Sequence, residues 1–413
     1  MRLYCIDIIR GISSLAIVLL HSSITFWLAV FPDILYQPIE SVSQFLIYIT
    51  TLTCNYGWIG VRILIVLSGF CVYLGIAARK PERIPIFPFM KKRILRLYPT
   101  YFCVLLCAML FTILFYRADL TFQNILGHLI FWYHNFYPVL KEPAEFSSVF
   151  WFMSLIAQLY LVFTLLYPFI RKHGLGAVCL ATLTFSIVWH VFYIYTTAQL
   201  NWEWYACITP RHFVLANIGE WLVGAYLAEC WHNKQHEQLR TKLKLSLPLT
   251  LIISIAIFLS VIIFKQYNDL RFEYRDSFNL PLTAATFLLM LYMITLEGRT
   301  MQRKQAANLP HKPRNPLTKI IIFVSDRSYS LYLIHVTVIA FMGQVGIRLF
   351  NLKIEDAPGS FLWLLTIIAG IIIAFIATEF LYRFVELPSH QWVRKLSRPP
   401  ASPTTTETQK IKT

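Results

Sequence analysis

Residues Ile6–Phe31 read IDIIRGISSLAIVLLHSSITFWLAVF, an apolar stretch long enough to cross a bilayer as an α-helix. Two ionisable side chains, Arg10 and His21, lie inside it. Their separation of eleven residues is about three helical turns, which puts both on one helix face about 16 Å apart. An ionisable side chain within the hydrocarbon costs a few kcal/mol, so it is expected to face protein or a water-filled cavity.

The pair has two interpretations. In the structural one, His21 hydrogen-bonds to a neighbouring helix and the Arg10 guanidinium reaches lipid phosphate. In the functional one, both side chains line a polar cavity. There a neutral imidazole accepts a proton from an attacking hydroxyl, and a guanidinium neutralises a phosphate or an oxyanion.

The composition predicts an all-α polytopic membrane protein. Of 413 residues, 57% are hydrophobic and 14% are charged, which is too apolar for a soluble protein of this size. Ten membrane-spanning helices are predicted, at residues 6–30, 46–77, 98–116, 150–170, 176–197, 209–230, 247–264, 279–296, 325–350 and 361–385. We expect one membrane domain over residues 1–396 and a disordered cytoplasmic tail over residues 397–413.

The net charge of +16 indicates topology rather than a nucleic-acid partner. Basic residues concentrate in alternate loops, namely residues 79–96, 171–172, 234–244 and 299–319. The intervening loops, residues 33–40, 141–145, 269–276 and 353–356, are balanced or acidic. This alternation predicts that both termini lie in the cytoplasm. The same charge can hold membrane lipid or a phosphorylated cosubstrate.

The eight cysteines imply neither a disulfide framework nor a metal site. They are scattered through apolar segments, and only Cys103 and Cys107 lie one helical turn apart. We interpret all eight as small buried apolar residues.

The second span contains the block GWIGVRILIVLSGF at residues 57–70. Gly60 and Gly69 are expected to allow close helix approach, and Ser68 to hydrogen-bond across helices. Arg62 falls well inside the bilayer and needs a partner or a cavity. A structural ion pair and a substrate contact are both open for it.

The third span is preceded by the basic block KRILRLYP at residues 92–99. Arg93 and Arg96 are about one helical turn apart, so their guanidinium groups can converge on one anion. The alternative is ordinary boundary charge at a cytoplasmic loop.

Further blocks carry polar residues into apolar spans. Residues 151–160 read WFMSLIAQLY and include Gln158 and Tyr160; residues 328–335 read SYSLYLIH and include Ser330, Tyr332 and His335. His335 either lines the cavity or bonds to another helix. Glu220 in the sixth span either supplies a carboxylate to the site or donates as a neutral acid to a backbone carbonyl. Residues 382–388 read YRFVELP, where Arg383 and Glu386 are expected to pair.

These blocks, in this order, resemble the acyltransferase 3 family of integral membrane acyltransferases. The family opens with an arginine or lysine, ten residues and a histidine, as at Arg10 and His21. Residues 92–99 resemble its Arg-Arg-x-x-Arg-x-x-Pro and residues 328–335 its Ser-Tyr-Ser-x-Tyr-Leu-x-His.

The chain departs from the family pattern at three positions. Lys92 replaces the first arginine, Arg62 stands where the family residue is often acidic, and Ile156 replaces a usual glutamate. The missing carboxylate is either not needed for this substrate or supplied by Glu220.

The resemblance implies transfer of an acyl group, commonly acetyl, from a coenzyme A thioester to a carbohydrate or lipid-linked hydroxyl. With that reaction, we expect His21 to act as general base, Arg10 to be the nearest catalytic cation on the same cavity wall, and Arg93 with Arg96 to contact the acyl-CoA phosphates. Direct transfer and an acyl-histidine intermediate are both open. The remaining substrate-binding candidates are Arg62, Ser68, Gln158, Tyr160, Glu220, Ser330, Tyr332 and His335. The expected location is a bacterial inner membrane, and the oligomeric state is left open.

Two other functions remain compatible with the sequence. A secondary transporter or flippase of a glycan or lipid precursor can also use an intramembrane histidine and arginine. However, the sequence shows no repeated half and no paired Gly- or Pro-broken helices. The third possibility is a catalytically silent relative. The replacement of the family's usual glutamate by Ile156 favours this possibility.

Overall fold

A computed structural model describes residues 2–24, 56–116, 121–130, 149–200, 213–267, 278–309, 315–350 and 361–396. Within these residues the chain is helical and has no β-strand. The helices are α1 Tyr4–Ile24, α2 Ile59–Ala77, α3 Ile86–Phe111, α4 Phe122–Leu129, α5 Phe150–His173, α6 Leu175–Leu200, α7 Val214–His232, α8 His236–Lys242, α9 Leu247–Tyr267, α10 Asn279–Ala306, α11 Pro316–Asp326, α12 Ser328–Phe350, α13 Phe361–Leu381 and α14 Leu387–Leu396. Two π-helical segments, Thr112–Tyr116 and Tyr382–Glu386, follow α3 and α13.

In the described part of the chain, nine helices are long and apolar enough to cross a membrane: α1, α2, α3, α5, α6, α9, α10, α12 and α13 with its continuation. The predicted polytopic all-α membrane fold is therefore confirmed. The cytoplasmic location of both termini stays a prediction. The four balanced or acidic loops and the tail at residues 397–413 lie outside the described residues.

Helix α7 is as long as α2 but is not among the nine, because Asn217, Glu220 and Glu229 lower its hydropathy. Thirteen of its 19 residues are nevertheless buried, so it lies at the centre of the bundle. Its polar residues face other helices instead of lipid, which a test of hydropathy alone does not detect.

Helices α2 and α7 cross in close contact because two glycines lie at the crossing. A Cβ atom built on Gly69 would lie 1.8 Å from the Trp221 carbonyl oxygen. One built on Gly224 would lie 1.8 Å from the Val66 carbonyl oxygen. Any side chain there would push the two backbones apart, so small residues set this helix spacing, as predicted for Gly69.

Helix α3 begins at Ile86, twelve residues before the predicted span at residue 98. The basic block therefore lies on the same continuous helix as the apolar span. This continuity fixes the direction in which Arg93 and Arg96 point.

The expected pairing of Arg383 with Glu386 is wrong. Arg383 and Arg327 both donate to the Glu379 carboxylate, one turn before Arg383. Glu386 instead accepts a hydrogen bond from Ser330 on α12, 2.6 Å away. The π-helical turn changes the angular spacing of these residues, so a prediction from regular α-helical spacing fails here.

Candidate functional site

A cavity of about 520 Å³ lies among α1, α2, α3, α5, α12 and the segment that ends in α14. Its described lining includes five arginines, Arg2, Arg10, Arg93, Arg96 and Arg394, and two carboxylates, Asp326 and Glu386. The remaining polar and aromatic lining includes Ser68, Cys71, Tyr160, Tyr329, Tyr332, Tyr382 and His390. Because cations outnumber carboxylates, the cavity is suited to an anion.

Arg10 is held at the cavity wall by its own helix and by α2. One terminal nitrogen is 3.6 Å from the Asp7 carboxylate and the other donates to the Cys71 sulfur at 3.1 Å. Asp7 is shared, because the Arg2 Nε also donates to it at 2.5 Å. The guanidinium is therefore positioned by neighbouring residues while it faces the cavity.

Arg93 and Arg96 both line the cavity from the shared helix face that their spacing predicted, and their contact with an anion stays a prediction. The Arg93 guanidinium carbon lies 5.3 Å from the Phe89 ring centre and 5.5 Å from the Tyr160 ring centre. Stacking on aromatic faces leaves the in-plane N–H groups of a guanidinium able to donate to an anion. Arg96 donates from Nε to His390 Nε2 at 3.0 Å.

The carboxylate of Glu386 is buried, with 3% of the residue exposed, and it lines the cavity. Ser330 does not line the cavity, but its hydroxyl donates to this carboxylate at 2.6 Å. His390 Nε2 lies 3.9 Å from the other carboxylate oxygen. Sequence reasoning did not select His390, Tyr329 or Arg394 as site residues, and it treated Glu386 only as a partner of Arg383. The signal that could have found Glu386 was its place in the closing block YRFVELP.

The cavity lining also includes apolar side chains, namely Leu64, Leu67, Phe152, Met153 and Ile156. The position of the family's usual glutamate is therefore an apolar part of the wall in this chain. Ser68 also lines the cavity, and its hydroxyl accepts a hydrogen bond from the Trp221 indole at 3.2 Å.

The predicted residue His21 contacts another candidate, His335, in the protein interior. Its Nδ1 lies 3.1 Å from His335 Nε2 and 3.0 Å from the carbonyl oxygen of Ile17. The ring centres are 5.0 Å apart and the ring planes meet at 65°. His21 is partly exposed, whereas His335 is fully buried.

Of the described residues, those lining the cavity include Tyr332 but neither His21 nor His335. The Tyr332 ring centre is 6.0 Å from that of His335. Its hydroxyl donates to the Val149 carbonyl at 3.2 Å. Tyr332 therefore connects the cavity wall to the histidine pair.

Arg62 and Glu220 form a buried cluster between α2 and α7. An Arg62 terminal nitrogen donates to the Asn217 amide oxygen at 2.6 Å and lies 3.7 Å from the Glu220 carboxylate. Their side chains are 4% and 2% exposed. Neither residue is in the described lining of the cavity. Gln158 also stays outside that lining and donates to the Ser154 hydroxyl at 3.1 Å.

The described ranges contain cysteines and other side chains of the types that bind metal ions. Six cysteines there, Cys5, Cys71, Cys103, Cys107, Cys179 and Cys230, carry free thiols. The expectation that all are buried is wrong for Cys71 and Cys107, which are exposed. No group of three or more His, Cys, Asp or Glu side chains in those ranges is arranged to hold a metal ion.

Comparison with known proteins gives a family assignment. The acyltransferase 3 model, described as an acyltransferase domain, matches residues 3–379. The match includes α1 with Arg10 and His21, the basic block of α3, and α12, and it ends before Glu386. No curated protein and no solved structure matches the chain. Because the matched region covers nearly the whole chain, the protein belongs to the acyltransferase 3 family and is an integral membrane acyltransferase.

Proposed function

We propose that the protein transfers an acyl group, acetyl in the simplest case, from cytoplasmic acyl-CoA to a hydroxyl of a cell-surface polysaccharide or lipid-linked glycan. In this proposal it acts in a bacterial inner membrane, with His21 as general base. The observation that carries the proposal is the arginine-lined cavity whose wall includes Tyr332, about one turn of α12 before the histidine that contacts His21.

The cavity's charge supports coenzyme A thioester as the donor. Coenzyme A carries a diphosphate and a ribose phosphate, and planar guanidinium groups match phosphate oxygens in bidentate geometry. Arg93 and Arg96 lie on one helix face at the cavity, and Arg10 faces the same space from α1. An acyl-CoA bound there has its phosphates among these arginines.

The chemistry of the donor matches the two kinds of side chain in the cavity lining, cationic and apolar. In acyl-CoA a long flexible pantetheine arm separates the phosphates from the thioester. The apolar wall at Leu64, Leu67 and Phe152 suits this arm, and Tyr332 lies in the same lining. The thioester then lies deeper in the membrane than the phosphates and closer to His21.

The reaction in this site is an acyl transfer with one proton relay. His21 takes the proton of the acceptor hydroxyl, and the acceptor oxygen attacks the thioester carbonyl carbon. A carbon–oxygen bond forms, the carbon–sulfur bond breaks, and the coenzyme A thiolate leaves. That thiolate takes the proton back from His21, which gives the ester, free coenzyme A and the original imidazole.

The predicted topology supports the choice of a glycan acceptor. With the N-terminus in the cytoplasm, α1 carries His21 toward the outer leaflet, about 16 Å beyond Arg10. A glycan acceptor is available on that side. An alcohol also needs a base to become a good nucleophile, which matches the role given to His21.

The test is acyl transfer in membranes that contain the full chain and its native surface glycan. With acetyl-labelled acetyl-CoA, the wild type is expected to leave label on glycan and His21→Ala to leave none. His173→Ala, which changes an exposed histidine at the end of α5, is the matched control and should retain activity. Labelled glycan from a folded His21→Ala variant would contradict the proposal. Absence of label with the wild type would favour the transporter interpretation.

A further inference from the structure

The contacts of His335 determine which of its ring nitrogens carries hydrogen. Nδ1 lies 2.8 Å from the carbonyl oxygen of Leu331, one turn earlier on α12. A carbonyl oxygen only accepts hydrogen bonds, so Nδ1 must be the donor. In the neutral ring, Nε2 is then an acceptor, and it is this atom that faces His21.

The contacts of His21 lead to a matching assignment. Its Nδ1 has two neighbours, the Ile17 carbonyl oxygen at 3.0 Å and His335 Nε2 at 3.1 Å. If this nitrogen were bare, its lone pair would face the lone pairs of the carbonyl oxygen. With a hydrogen on Nδ1, both contacts become hydrogen bonds shared by one donor. The unprotonated nitrogen of the neutral His21 ring is therefore Nε2.

We infer that His335 is a positioning residue for His21. It accepts from His21 Nδ1–H and so keeps His21 in the tautomer whose Nε2 can take a proton. The inference rests on the proposed function of His21 as general base. An acidic side chain does the same for the histidine of serine hydrolases, where it orients the ring and selects its tautomer. Here the buried imidazole of His335 orients the ring of His21.

The contact also matters after proton transfer. When Nε2 of His21 takes the acceptor's proton, Nδ1–H becomes the donor of a charge-assisted hydrogen bond, which is stronger than a neutral one. His335 Nε2 accepts it without exchanging a proton. The Ile17 carbonyl retains part of this role in any His335 variant, so loss of His335 should lower activity without abolishing it.

We expect a loss of about 10- to 100-fold in kcat, the size of effect seen when the partner that orients a metal-bound histidine is removed. The KM for acetyl-CoA should not change, because His335 does not line the described part of the phosphate-binding cavity. His335→Leu removes the acceptor. His335→Gln offers an amide oxygen to His21 Nδ1–H and should recover most of the loss.

His190 provides a matched control. It is a buried histidine on α6 whose Nδ1 contacts a carbonyl four residues back, that of Ser186, at 2.6 Å. Its Nε2 meets the Asn279 side chain at 3.1 Å. His190→Leu therefore removes a similar buried pair away from the site, and kcat should keep its value.

The tautomer can be measured without activity. Nitrogen NMR distinguishes protonated from unprotonated imidazole nitrogens, and a difference between wild type and His21→Ala labelled at histidine assigns the His21 signals. We expect hydrogen on Nδ1 of His21 in the resting wild type in lipid membranes.

Hydrogen on Nε2 instead, or unchanged kcat in a folded His335→Leu, would overturn the inference. If His335→Leu does not fold, the wild-type spectrum decides. Activity in His21→Ala would defeat the base assignment itself, whereas an inactive His21→Ala beside a fully active His335→Leu would defeat the positioning role alone.

Discussion

Replacing Arg93 and Arg96 together by alanine tests whether the cavity binds the phosphates of the donor. Both side chains line the cavity from one face of α3. Hydrogen bonds to charged groups contribute about 1.5–3 kcal/mol, and both guanidinium groups are accessible to water, so the lower end applies. At about 1.5 kcal/mol for each side chain, two lost contacts weaken binding on the order of 100-fold.

The direct assay is binding of coenzyme A to the purified full-length protein, with pantetheine as a comparison ligand that lacks phosphates. The double variant should raise the Kd for coenzyme A about 100-fold and leave the Kd for pantetheine close to the wild-type value. In the labelled transfer assay, the same variant should raise the KM for acetyl-CoA with little change in kcat. This is the pattern expected when an interaction is made equally in the ground state and the transition state.

The matched control is Arg79→Ala with Arg83→Ala. These two arginines belong to the same basic loop region and are exposed, but they do not line the cavity. If the basic block acts only through its general charge, the control should weaken coenzyme A binding as much as the cavity variant does. The phosphate assignment would be refuted if the control pair weakened coenzyme A binding as much as the Arg93 and Arg96 pair did. It would also be refuted if the Arg93 and Arg96 pair weakened pantetheine and coenzyme A binding equally.

Two further predictions concern the centre of the bundle. Gly224→Val should destabilise the protein by about 1–3 kcal/mol, because the new side chain meets the Val66 carbonyl. Gly75→Val, on α2 with open space around it, should cost about 1 kcal/mol or less. Thermal unfolding in lipid nanodiscs measures both variants. Arg62→Leu should lower the free energy of unfolding by about 3–5 kcal/mol, because it leaves the Glu220 carboxylate without this buried cation. Adding Glu220→Leu should recover much of the loss. Transfer activity in the folded double variant would assign the pair to structure, and loss of activity there would favour a substrate contact.

Much of the fold could be predicted because each membrane-spanning helix is encoded locally. An apolar run of sufficient length must satisfy its backbone hydrogen bonds internally, so hydropathy alone predicts a helix. Helix α7 corresponds to the predicted span at residues 209–230. It could be predicted because its apolar residues are frequent, although Asn217 and Glu220 lower its hydropathy. The start of α3 was predicted too late, because hydropathy marks where the apolar part begins and not where the helix begins.

The site could be predicted only where its residues lie on one helix. Arg93 and Arg96 are three residues apart, so helical geometry alone brings them to one face. The contact between His21 and His335 joins residues 314 positions apart. It depends on how α1 packs against α12, which no spacing within either segment encodes. Glu386 was assigned the wrong partner because a π-helical turn changes its direction and Glu379 is better placed for Arg383.

The packing of α1 explains why several helices build this site. Ser14 and Ile17 lie between Arg10 and His21 along the helix, and both are buried, with 2% and 1% exposed. A Cβ atom on Gly60 of α2 would lie 3.1 Å from the Ile17 side chain, so α2 closes this stretch. In the proposed reaction, a donor held at Arg10 would not reach His21 along this buried stretch of α1. The described contacts that connect the cavity wall to His21 run through α12, because Tyr332 lines the cavity and His335, one turn further, contacts His21. Under the proposed function, the motif on α1 supplies both chemical groups, and residues of α12 connect the cavity wall to the second of them.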